Sequence, residues 1–391
     1  TVDGLGQAHA RWGRMPWAEL LAPAVSHARE GMLVDWYAAL LIASTARNLA
    51  KDPDAAAMFL DDGTWPKGSG WTAIPDNRLD QSRVAASLAH MAEAGPRSFY
   101  EGDLAQAMAQ DVQDKGGCLA AEDLAGYSAW MGAARPVDYR DARFHVMPGL
   151  TAGPTFARVM EQLETADLST PAATYVAYAR ALDQAYAERL GKMGDDGEVP
   201  EAPGCTTHFS VVDRDGNMVT HTQTLLSIFG SRVVSPSTGF LMNNGIMWFD
   251  PEQGRPNSLA PNKACLMNVC PVLGERGDTR FAFGASGGRK IVSAVSQLAS
   301  FVVDGEMDVE QAFHTPRIDM SGGAQIIADE TLPTEVISAL SDEKPTQTTR
   351  RTVSPYAFAC PAGVMRKDGA NSGCTEIMSP WGDAICEEHD R

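Results

Sequence analysis

A layered α+β fold, with helices covering a mostly antiparallel sheet, is what this sequence predicts, and three observations predict it. Residues 14–192 read mostly as helix, a block of short strands begins at 206, and helical periodicity returns at about 289. Helices, then strands, then helices is the order expected when an antiparallel sheet is buried under helical layers.

The elements follow in chain order. "MPWAELLAPAVSHAREG" (15–31) carries apolar residues at helical spacing and ends on a glycine. "DNRLDQSRVAASLAHMAEAG" (76–95) starts at an Asp/Asn cap and ends at Gly95, and "EGDLAQAMAQDVQDKGG" and "AAEDLAGYSAW" follow in the same style. "YRDARFHVMPG" reads as one strand closed by a Pro-Gly turn, and "PTFARVMEQLE" and "AATYVAYARALDQAYAERLGK" as two helices. At 193–205, "MGDDGEVPEAPGC" mixes acids, glycines and prolines, the composition of an exposed connector. Beyond it, 206–213, 218–225, 231–235, 238–243 and 279–284 read as strands; "RKIVSAVSQLASFVVDG" and "DVEQAFHTPRI" return to helix.

Composition narrows the function. Of 391 residues 44% are hydrophobic and 21% charged, a balance that supports a packed core. The net charge of −18 repels phosphate backbones, and no Lys/Arg cluster offsets it, so nucleic acid is not an expected partner. The longest apolar runs, "WYAALLIAS" and "IVSAVSQLASFVV", are too short for the ~20 residues a membrane span requires. Seven cysteines without CxxC spacing favour reduced thiols, hence a cytoplasmic over a periplasmic setting, and the scattered histidines suggest no metal site; no cofactor is expected.

The chemistry concentrates in "GCTTHFSVVDRDGNMVTHTQTL" (204–225). The turn Asp213-Arg-Asp-Gly216 has the residues of a type I turn, and a left-handed glycine after it makes a three-residue hairpin loop with a bulge. Asp213 then faces Asn217, which sets Ser210 against Thr220, His208 against Thr222 and Thr206 against Thr224. A two-residue Asp-Gly loop would instead put Thr207 opposite Thr224; the Asp at the first turn position favours the former register. Strand preference alone accounts for Thr220 and Thr222. Thr206 differs, because it sits at the mouth of the connector. A threonine is a weak nucleophile without an adjacent base, and its own α-amino group would serve if the chain were cut before it.

"TRFAFGASGGRKIV" reads as strand, glycine turn, helix, and admits two functional readings. Gly284-Ala-Ser286-Gly-Gly288 fits the G-x-S-x-G elbow of serine hydrolases, which would make Ser286 a nucleophile, with His314 or His389 as its base. Alternatively, the amides of Gly287 and Gly288, at the start of a helix, would hold a developing oxyanion.

"TTHFSVVDRDGNMVTHTQTL", "GFLMNNG", "PNKACLMNVCPVL" and "FGASGGRKIV", in this order, resemble the small subunit of the γ-glutamyltransferase (glutathione hydrolase) family. "GRMPWAELLAPAVSHAREGMLVD" and "GPRSFYEGDLAQAMAQDVQDKGGCLAAEDLAGY" resemble its large subunit. The resemblance implies an N-terminal-nucleophile (Ntn) hydrolase with an αββα sandwich and no cofactor. It further implies a precursor that cuts itself between Cys205 and Thr206 into two chains, 1–205 and 206–391, which form a heterodimer within one αββα domain. By position, Thr206 would be the nucleophile and its freed amine the base, Thr224 the threonine that hydrogen-bonds it, and Gly287 and Gly288 the oxyanion-hole glycines.

The groups that read a glutamyl substrate do not carry over. The acid that holds the substrate α-amino group falls on Trp248 and its neighbouring glutamine on Gly245. The asparagine after the Thr224 motif is Leu226, and the two carboxylate-binding serines are Met267 and Asn268. The carboxylate-clamping arginine would lie before residue 1, and the chain starts as if in the interior of a protein. Losing such a partner costs ~2–5 kcal/mol. The expected substrate is a small-molecule amide or γ-glutamyl compound, with a less zwitterionic acyl group than γ-glutamyl favoured, its pocket lined by Trp248, Leu226 and Met267 and its acyl group passed to water or to an amine acceptor. Two other expectations stand beside this one: an unprocessed family member acting as a scaffold or binding module, and a serine hydrolase using Ser286.

Overall fold

In a computed structural model, residues 1–68, 72, 76–193 and 204–386 are described, with backbone alone for 204 and 205. Most of the proposed connector, 194–203, and the candidate base His389 lie outside the described residues. Two compact units emerge from the contacts: residues 1–132 with 228–244, and residues 133–227 with 245–391.

The first unit is helical. Trp17–Glu30 stops at Gly31, whose φ of 78° lets the chain leave the helix, and Ser82–Ala94 stops likewise at Gly95, with φ 85°. The cap expected at 76–77 is displaced: the helix starts at Ser82, because Arg78–Leu79 first pairs with Met32–Leu33. Trp36–Leu49 and Pro53–Phe59 begin at Asp35 and Asp52, whose carboxylates accept the N–H of Ala38 and Ala55. Val34, Ile42, Leu49, Phe59, Leu79 and Val234 make the core of this unit.

Segments 231–235 and 238–243, expected as strands, are loops joined by one isolated bridge, Val234 to Leu241. Left-handed backbone at Arg232 and Gly239 interrupts the extended runs. Asp111 gathers this loop instead, accepting from the Ser237 hydroxyl at 2.8 Å and the Ser237 N–H at 2.9 Å.

The second unit is built on a six-stranded antiparallel sheet. Its order is Ala370–Thr375, Cys360–Lys367, Thr279–Ser286, Val272–Arg276, Ala142–Val146, Arg135–Tyr139. The single strand expected at 139–149 is thus two hairpin arms that turn at Arg140, φ 52°. Alternation sorts the faces of Thr279–Ser286: Phe281, Phe283 and Ala285 enter a core shared with the helices Gly153–Leu163, Pro171–Met193 and Lys290–Val303. The opposite face, carrying Gly284, meets the hairpin Gly204–Val212/Met218–Ser227. Helices cover one face of a mostly antiparallel sheet, as the α+β expectation required, and the hairpin packs on the other. No described helix is long and apolar enough to cross a membrane.

Candidate active site

The turn at 213–216 forms as its residues dictate. The Gly216 N–H donates to the Asp213 carbonyl at 3.1 Å, Gly216 takes φ 84°, and the Asp213 carboxylate accepts the N–H of Asp215 and Asn217. The register follows: Thr206 pairs with Thr224, His208 with Thr222 and Ser210 with Thr220. Thr206, His208 and Ser210 are half-buried, whereas Thr207 and Phe209 between them are exposed, so the polar side of the hairpin faces the large sheet.

Thr206 Oγ1 lies 3.2 Å from Thr224 Oγ1, which also accepts the N–H of Leu226 at 2.8 Å. A bulge occupies this end of the hairpin. Gly204 pairs with Ser227 and Thr206 with Thr224, so Cys205 stands across from both Leu225 and Leu226. Leu226 carries the distortion with φ 79°, a conformation asparagine takes more readily than leucine. Its side chain is buried. The backbone irregularity therefore lies opposite the Cys205–Thr206 bond.

His208 continues the polar seam inward. Its Nδ1 lies 2.8 Å from Thr222 Oγ1 and its Nε2 3.1 Å from Ser210 Oγ. A Cβ built on Gly284 would come within 2.4 Å of the imidazole, so glycine there makes room for the ring. Burial, with a smaller contribution from His221, pushes the His208 pKa down to about 3. A histidine that stays neutral when folded but takes a proton near 6.5 when unfolded favours the unfolded chain increasingly as pH falls. Stability tied to His208 is fully present above about pH 6.5 and is lost progressively toward the folded value, by at most ~3 kcal/mol at pH 4. Thermal melts from pH 7 to 4 should show His208→Gln losing less stability than the parent; parallel curves would contradict this.

The glycine turn stands at the end of the facing strand. His208 lies over Gly284, and the Thr220 hydroxyl reaches the Phe283 carbonyl at 3.5 Å. This progression carries the Thr206 end of the hairpin toward Ser286–Gly288. Gly287 has φ 142°, and a Cβ there would lie 2.8 Å from both Cα and Cβ of Ala359. Gly288 has φ 60° and open space where a Cβ would be. The helix ladder begins only with the N–H of Lys290 and Ile291, which bond the carbonyls of Gly287 and Gly288, so both glycine amides precede it. The Ser286 hydroxyl lies 3.3 Å from the Tyr356 hydroxyl. His314, one proposed base for Ser286, is engaged by its Nδ1 with the carbonyl of Glu310.

The expected acyl-pocket residues divide. Met267 and Asn268 are held by Arg189, whose Nη2 donates to the Met267 carbonyl at 2.7 Å and lies 3.2 Å from Asn268 Oδ1. Arg189 is 2% exposed and was not singled out from the sequence. The available signal was a charge on the buried stripe Leu182, Ala185, Tyr186 of its helix. Gly245 and Trp248 bound a short 3₁₀ turn. Trp248 is half-buried, and its carbonyl accepts Asn257 Nδ2 at 2.6 Å, which anchors it to the following loop. No described hydrogen bond links Trp248 to the threonine pair. The six cysteines whose side chains are described are free thiols.

The family model of γ-glutamyltranspeptidase matches residues 1–203 and 197–377. An acylase ACY 1 proenzyme from Pseudomonas sp. (strain V22) is 30% identical over 381 residues, covering 87% of this chain and 66% of its own length. A glutathione hydrolase proenzyme from Escherichia coli (strain K12) is 29% identical over 371 residues, covering 81% of this chain and 63% of its own length. The chain thus spans about two thirds or less of these relatives. Among solved structures, a cephalosporin acylase from Bacillus halodurans superposes with a TM-score of 0.86 at 23% identity, over 100% of this chain and 78% of that one. That likeness is one of fold, the Ntn-hydrolase type expected from the sequence.

Proposed function

The chain belongs to the γ-glutamyltranspeptidase family, and from that premise we propose that it is a self-processing threonine amidohydrolase. The observation that carries this reading is the Thr206–Thr224 hydroxyl contact of 3.2 Å, next to the bulge opposite the Cys205–Thr206 bond. In the precursor, Thr206 Oγ attacks the carbonyl carbon of Cys205, and the Cys205 acyl group passes from nitrogen to oxygen. Water then hydrolyses that ester, leaving a Cys205 carboxylate and a free Thr206 amine. In turnover the amine takes the Thr206 hydroxyl proton as Oγ attacks the substrate amide. The N–H groups of Gly287 and Gly288 receive the oxyanion. The leaving amine departs with the proton, and water releases the acid from the acyl-enzyme.

Both products of the cut would stay together. Ala142–Val146, before the cut, pairs with Val272–Arg276 after it, within one continuous sheet. Chains 1–205 and 206–391 are therefore expected to behave as a heterodimer that only denaturation separates.

The acyl group is the finer part of the proposal. By the family resemblance, Trp248, Leu226 and Met267 replace polar groups that would read a zwitterionic glutamyl substrate, and acylases are among the relatives. An apolar or simple dicarboxylic acyl group suits this lining better. The test compares L-γ-glutamyl- and glutaryl-p-nitroanilide, which differ only in the α-amino group. Glutaryl is expected to be favoured about 30-fold or more in kcat/KM. A preference for glutamyl would overturn the assignment of the acyl group.

A further inference from the structure

The oxyanion turn is gripped by a side chain to which the family resemblance assigns no role. Tyr356 sits in the segment leading into the strand Cys360–Lys367, whose first residue pairs with Ser286. Its hydroxyl donates to the Ser286 carbonyl at 3.1 Å, and the Ser286 hydroxyl lies 3.3 Å from the same oxygen. One arrangement of protons satisfies both contacts: the phenol donates to the carbonyl, and the serine donates to the phenol. Cys360 also lies within reach of this phenol, but burial pushes its thiol up to about 11, so it remains a neutral, weak acceptor. The carbonyl is the better acceptor.

The Ser286 carbonyl and the Gly287 N–H belong to one planar peptide unit, and in a trans peptide they point in opposite directions. Holding the oxygen therefore aims the N–H. Accepting a hydrogen bond at the carbonyl also polarises the amide and strengthens its N–H as a donor. The same segment presses on the turn from behind, since a Cβ on Gly287 would meet Ala359 at 2.8 Å and the Tyr356 hydroxyl at 3.5 Å. We propose that Tyr356 is a positioning residue for the oxyanion donor: it fixes the Ser286–Gly287 peptide plane so that the Gly287 N–H points at the reacting carbonyl. This rests on the threonine-hydrolase reading above.

The phenol acts on a group that is engaged only as charge develops, so its loss falls on kcat and spares substrate binding. Tyr356→Phe, which removes one oxygen atom, is expected to lower kcat for glutaryl-p-nitroanilide by about 10- to 30-fold, less than the loss of a direct donor, with KM within about twofold. Ser286→Ala separates the two contacts: it removes the serine hydroxyl but leaves the phenol–carbonyl bond in place, so its kcat should fall less than that of Tyr356→Phe. Thr206→Ala, assayed in parallel, should be inert.

An unchanged kcat in Tyr356→Phe, with Thr206→Ala inert, overturns the role of Tyr356 alone. So does a loss shared by kcat, KM and melting temperature, the pattern of a purely structural contact. An active Thr206→Ala overturns both readings. An inert Ser286→Ala would return the nucleophile to Ser286 and overturn the proposal.

Discussion

Thr206→Ala should accumulate as a single uncut 391-residue chain with amidase activity reduced by about 10⁴-fold or more. Two losses coincide in that variant. The hydroxyl that would attack the Cys205 carbonyl is gone, so the α-amine is never released, and the same hydroxyl is missing from turnover. Thr206→Ser separates them. It keeps an oxygen nucleophile within reach of Thr224 and should still cleave, more slowly, because serine lacks the methyl group that restricts χ1. Denaturing electrophoresis over hours at neutral pH reads cleavage, and anilide hydrolysis reads turnover. An uncut Thr206→Ala chain with parent-level activity would disprove the need for a freed amine.

Gly287→Ala is the second large effect. Its φ of 142° is a conformation that an L side chain rarely adopts, and the new methyl carbon would lie 2.8 Å from Ala359. Either the turn or the segment behind it must move, and the Gly287 N–H moves with it. Loss of one oxyanion donor typically costs about 10²–10³ in kcat. A drop of that size is expected in the processed enzyme, together with a lower melting temperature from about 1–3 kcal/mol of backbone strain. Gly288→Ala is the informative neighbour. Its Cβ meets nothing within 4 Å, so the fold should tolerate it apart from ~1–2 kcal/mol of left-handed strain. In the proposed mechanism that open space receives the substrate, so the penalty should appear in KM. Parent-level kcat in Gly287→Ala would remove this turn from the mechanism.

What the sequence made legible was chemistry expressed locally. Asp213 and Gly216 specify a turn by their own side-chain and φ preferences, and that turn alone sets Thr206 against Thr224. The C-terminal hairpin had an equally local signal that was not used. Asp368-Gly369, both with positive φ, joins Cys360–Lys367 to Ala370–Thr375 in the manner of a two-residue hairpin loop. The segments 231–243 misled because their apolar and β-branched content favours strands, whereas their left-handed residues forbid a continuous ladder. The partners of Arg189 and Tyr356 were illegible for a different reason. Each acts about 70 to 80 positions away in the chain, on Met267–Asn268 and on Ser286, and no periodicity within their own segments encodes those partners. The acyl-pocket positions were named by resemblance, and their substitutions were visible, but the structure gives them their supports: a buried guanidinium for Met267 and Asn268, a backbone bulge for Leu226.

The central claim is that Thr206 becomes an N-terminal residue by the action of this chain. The intact mass of the denatured protein, recorded after incubation at neutral pH, tests it most directly. The account predicts two species whose masses sum to that of the whole chain plus one water, broken between Cys205 and Thr206. One species at the mass of the uncut chain, or a break at any other bond, would contradict it.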